Sequence, residues 1–107
     1  MAKKSNCYKK YGKEWSKTLT EYTRNHLETM FAGYMKHIGD KDERYAIDST
    51  FLAMKNYDAL IPEEEKSKRI FLFSFTEFNI LGDPKGMVFD VAYNSVDEMI
   101  DDGWVVD

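Results

Sequence analysis

Two histidines, one cysteine and a set of C-terminal carboxylates are the residues of this chain that could do chemistry. His26 and His37 stand eleven positions apart. On one helix they would point within about 20° of each other but sit about 16 Å apart along the axis, too far to share a metal ion. No His-Glu-x-x-His, EF-hand, Walker or Gly-x-Gly-x-x-Gly pattern occurs, and no Gly-x-Ser-x-Gly elbow. Both histidines therefore read as residues of an apolar face with satisfied ring nitrogens. Cys7 lies beside Lys9 and Lys10, cations that would favour a thiolate. It has no histidine near it in sequence, so a free thiol is the expectation.

The acids are more suggestive. Asp97/Asp101 and Glu98/Asp102 are each four residues apart, so on a helix each pair shares a side. Acid–base catalysis would need a cleft and one raised pKa. Asp101 and Asp102 also fall at the C-terminal end of the expected helix, where the dipole opposes them. Trp104 follows directly, and a large aromatic ringed by charge suits a protein interface. The partner-binding candidates are Asp97, Glu98, Asp101, Asp102 and Trp104; for Trp104 the competing expectation is a core residue that closes the sheet. At the other end, Lys9, Lys10, Tyr11 and Lys13 interleave basic and aromatic types. Lysines neutralise phosphates and aromatics stack bases, so these four are candidates for nucleic-acid binding.

The elements that must position these residues follow from periodicity. Residues 1–12 read as a basic N-terminal arm, and residues 13–107 as a single α+β domain. Trp15, Leu19, Tyr22, His26, Met30, Tyr34 and Ile38 recur at spacings of three and four, which predicts one helix from about Lys13 to Ile38, stopped by Gly39. A second helix is expected from about Asp40 to Ile61, ended by Pro62. The period then changes. Arg69–Phe78 and Met87–Tyr93 read as strands joined by the Gly82–Gly86 turn. Ser95-Val-Asp-Glu98 is a capping box that starts a short helix, Gly103 ends it, and Trp104–Val106 adds a third strand. The expected order is α-α-β-β-α-β. The two N-terminal helices would pack on one face of a small antiparallel sheet, against Phe71, Phe73 and Phe75.

At 107 residues the chain is one domain, with a core modest enough to need no staples. Apolar residues make up 43% and aromatics 15%, which excludes a disordered composition. A lone cysteine cannot form an internal disulfide. No apolar run reaches the length of a membrane span, and none reads as a secretory signal, so a cytoplasmic location without a membrane partner is expected. Charge is uneven: residues 1–37 balance at +5 and residues 38–107 at −9. With no catalytic motif and strong surface charge, the expectation is a small non-enzymatic protein-binding module of adaptor or inhibitor type. It would need no cofactor and would meet a protein with a basic surface. By analogy, accessory proteins of phages and mobile elements that inhibit host defence systems share this profile. The alternatives are a nucleic-acid binder using the arm and a subunit of a larger assembly.

Overall fold

Local capping sets the first two helices. In the computed structural model, which describes residues 5–75 and 86–107, the Ser5 hydroxyl accepts from the Tyr8 amide and opens α1 (Asn6–Tyr11). Gly12, at φ 75°, closes it. Ser16 does the same for α2 (Lys17–Met30), accepting from the Leu19 amide. α2 stops earlier than expected, because Phe31 takes the left-handed conformation at φ 64° and returns its amide to the Leu27 carbonyl.

The chain then enters a sheet. β1 (Ala32–His37) pairs antiparallel with β2 (Arg44–Asp48), Tyr34 facing Tyr45. Asp48 caps α3 (Ser49–Met54), and two 3-10 turns, Tyr57–Leu60 and Glu63–Glu65, lead to β3 (Ile70–Phe75). β4 (Met87–Tyr93), α4 (Val96–Asp101) and β5 (Trp104–Val106) complete the order. The sheet is five-stranded and antiparallel, ordered β4-β3-β2-β1-β5. The fold is α+β, but two stretches expected as helix, Ala32–His37 and Arg44–Asp48, are strands. Each satisfies its backbone by pairing with a distant segment: β1 lies between β2 and β5, and β2 between β1 and β3. The end of the expected strand Arg69–Phe78 and most of the Gly82–Gly86 turn lie outside the described residues.

Both faces of the sheet are covered. Met35, Ala46, Ile70, Leu72 and Tyr93 pack with Leu27 of α2, Met99 and Ile100 of α4 and, at its edge, Trp15. Ile47, Phe71 and Phe73 pack with Leu52 of α3 and Ile61. The long N-terminal helix thus lies on the Ile70/Leu72 side, not on the phenylalanine side as expected. Phe71 and Phe73 are fully buried, each worth about 1.5–3 kcal/mol of apolar transfer. Their cover is α3 and the 3-10 turns. The short edge strand β5 is closed from outside: the Val106 amide donates to Thr23 Oγ1 of α2 at 3.0 Å.

Candidate functional site

Helix α4 is held by its inner side. Met99 and Ile100 are buried, and the Ser95 hydroxyl accepts from the Glu98 amide at 3.1 Å. That orientation leaves Asp97, Glu98, Asp101 and Asp102 toward the outside, with Asp101 and Asp102 half-buried. Neighbouring elements treat the four acids differently. Asp97 Oδ1 accepts from Arg24 Nε of α2. Asp102 Oδ1 meets Lys10 Nζ of α1 at 2.7 Å, and its Oδ2 accepts from the Tyr93 hydroxyl at 2.5 Å. Glu98 and Asp101 make no ion pair among the described residues.

Burial alone would raise the Asp102 carboxyl, but the bonds from Lys10 and Tyr93 win and hold it below the usual carboxylate range. The same bond raises Lys10, and burial together with the Asp102 bond raises the Tyr93 hydroxyl. The mismatch between Asp102 and the helix dipole is therefore compensated by one cation and one hydroxyl.

Among the described residues, clefts border α4 on several sides. One of about 260 Å³ lies between Arg24, Glu28, Asp48, Arg69 and the start of α4 through Asp97. A second of about 250 Å³ runs beside Cys7, Glu14, Trp15 and Asp101. A third of about 310 Å³ is lined by Asn6, Lys10, Tyr93, Glu98, Asp101 and Asp102. The first holds two arginines, but Asp97 pairs with Arg24 and the buried Asp48 with Arg69. With Glu28 as a third acid, it is not a cationic cradle. The unpaired carboxylates Glu98 and Asp101 both border the third cleft, so the outer side of α4 is an acidic ridge beside a groove.

The other sequence candidates fall elsewhere. Trp104 is not a surface anchor: it is 2% exposed, paired through β5 to His37, with its ring 4.5 Å from the His37 ring and Arg44 above it. Its place in the third expected strand puts it inside because α2 and α4 close over that strand. The segment read as an arm is, from Asn6 to Tyr11, the helix α1. Lys10 is bound to Asp102, and Tyr11 lies edge-on to His37 at 4.9 Å between ring centres. Lys9 and Lys13 remain exposed.

His37 is 5% exposed and has both ring nitrogens committed: Nε2 lies 2.7 Å from the Asp102 carbonyl, and Nδ1 accepts from the Gly39 amide at 2.9 Å. Burial lowers its pKa. Cys7 is 3% exposed, burial raises its pKa, and its thiol donates to the Lys13 carbonyl. No group of three or more His, Cys, Asp or Glu among the described residues is placed to hold a metal ion.

Two features went unread in the sequence. The Asp48–Arg69 pair joins β2 to the start of β3 at 2.8 Å. Tyr34, Tyr45 and Phe75 form an aromatic strip across three strands, with Tyr34 44% exposed. Alternation of Tyr34 with Met35 was the available signal for the strip, masked by the helical spacing assigned to that stretch. Comparison with protein-family models, curated proteins and solved structures found no match. No helix among the described residues is long and apolar enough to cross a membrane.

Proposed function

We propose that the chain is a non-enzymatic protein-binding module of adaptor or inhibitor type, and that the ridge of α4 meets a partner with a basic surface. The observation that carries this reading is the division among the four acids. Asp97 and Asp102 are neutralised within the fold, whereas Glu98 and Asp101 border the 310 Å³ groove and form no ion pair among the described residues, the groove's Lys10 being held by Asp102. Unpaired carboxylates beside an indentation steer a basic partner and fix its register. Two of the groups that could support catalysis are committed to the fold, His37 through both ring nitrogens and Cys7 through burial.

The test is capture of partners from the native cell, with and without nuclease, by the wild type and by the double variant Glu98→Lys/Asp101→Lys. A nuclease-resistant protein retained by the wild type and lost by the double variant supports the reading. Recovery that depends on nucleic acid supports binding through exposed Lys9 and Lys13 instead.

A further inference from the structure

We propose that His37 is a proton-operated latch whose protonation releases helix α1 from the rest of the domain. Asp102 is the hub where α1, β1, β4 and the end of α4 meet. Its carboxylate holds Lys10 and Tyr93, and its carbonyl holds the His37 ring. α1 is fastened at this hub by the Lys10–Asp102 pair and by Tyr11 lying against the His37 ring.

The ring is fixed in one protonation state. The Gly39 N–H points at Nδ1, so Nδ1 must be the acceptor, and Nε2 must then carry the proton given to the Asp102 carbonyl. A second proton on Nδ1 would set donor against donor. The ring packs closely over Gly103, where a β-carbon would come within 2.7 Å of Nε2.

The surroundings add to the conflict. Facing His37 are Lys10 and Tyr11 from α1, Asp102 from the end of α4, Lys41 from the β1–β2 connection and the Trp104 ring of β5. Tyr93 reaches it through Asp102, and Arg44 of β2 lies beyond Trp104. While α1 is docked, Lys10 has already taken the Asp102 carboxylate, so a cationic imidazole faces two lysines and finds no free anion. When α1 leaves, Lys10 and the Tyr11 cover leave with it, and the Asp102 charge becomes available to the imidazolium. Proton binding at His37 and docking of α1 therefore oppose each other.

The sign follows from burial, which lowers the pKa of docked His37 from the ordinary 6.5. The latch is closed above about pH 6.5. Below it, the docking equilibrium falls by up to about tenfold per pH unit, the limit for one linked proton.

Cys7 provides the readout, because it is the chain's one thiol and lies buried on α1. The rate at which 4,4′-dithiodipyridine labels Cys7 is measured from pH 7.5 to 5, divided at each pH by the rate for the urea-unfolded chain. The wild type should lose protection as the pH falls below 6.5, with Cys7 less protected at every pH than the amides of β2 and β3 are in hydrogen exchange. His37→Gln, which has no titrating ring, should show no such slope. A wild-type protection constant across this range, an equal slope in His37→Gln, or Cys7 protection as high as that of the β2 and β3 amides would overturn the latch. A second reading needs no variant: the His37 ring resonance should titrate below 6.5, and a midpoint at or above it would also overturn the proposal.

Discussion

Replacing Thr23 by valine removes one oxygen and keeps the shape, which isolates the bond that closes the edge of the sheet. Thr23 is fully buried. Its hydroxyl donates to the Leu19 carbonyl at 2.8 Å and accepts from the Val106 amide at 3.0 Å. The Leu19 carbonyl lies within α2, so little is lost there. The Val106 amide loses its acceptor inside a buried site, and an orphaned buried donor costs about 1–3 kcal/mol. Thr23→Val should therefore lower stability by about that amount in urea unfolding. It should also speed hydrogen exchange at the Val106 amide more than at any amide of β2 or β3. Thr23→Ser keeps the oxygen and deletes one methyl, for a loss of about 0.8 kcal/mol from transfer, with the Val106 amide still protected. If valine matched or exceeded the wild type while serine fell below it, Thr23 would be a packing residue only, and α2 would not close the β5 edge.

Other perturbations test the rest of the frame. Gly103→Ala places a β-carbon 2.7 Å from His37 Nε2 at a residue with φ 104°; strain and overlap together should cost about 2–4 kcal/mol by urea unfolding, and a loss under about 1 kcal/mol would mean the ring moves freely. Phe73→Ala should cost about 3–5 kcal/mol, since the ring is fully buried under α3 and the 3-10 turns. Stability should be highest above pH 6.5 and fall as the pH drops below it toward the lowered pKa of folded His37, because the unfolded chain then binds a proton that the native chain refuses; a His37→Gln profile with the same fall would assign the effect elsewhere. Glu98→Lys/Asp101→Lys should change stability by less than about 1 kcal/mol, as neither residue makes an ion pair among the described residues.

The C-terminal half of the fold was legible because its signals are local. The β-rich run Ile70–Phe75, the alternation in Met87–Tyr93, the Ser95 cap and the Gly103 stop each act within a few residues, and each stands where expected. The middle was misread for the opposite reason. Tyr34 and Ile38 happen to continue the three-and-four spacing of α2, yet Ala32–His37 is a strand whose partners come from residues 44–47 and 104–106. Only that distant pairing makes extended backbone favourable there. The break itself is hidden, since Phe31 turns left-handed without being glycine. Gly33 offered a signal that needs three dimensions to read: a β-carbon on it would lie 2.7 Å from His26 Nε2.

The candidate site divides along the same line. Placing Asp97, Glu98, Asp101 and Asp102 on one short helix needed only the spacing and the cap. Their partners Arg24, Lys10 and Tyr93 could not be read, because they come from other elements. For Trp104 adjacency in sequence left interface and core both open, and strand pairing decides for the core.

Association kinetics test the central claim most directly. With the captured partner immobilised, the rates of wild type and Glu98→Lys/Asp101→Lys are measured at low and moderate salt, leaving the Arg24–Asp97 and Lys10–Asp102 pairs untouched. A basic partner steered by the ridge should bind the double variant with an on-rate lower by about tenfold or more at low salt, and with a weaker salt dependence. An on-rate and affinity equal to those of the wild type would contradict the claim and leave the outer side of α4 as a solvated surface.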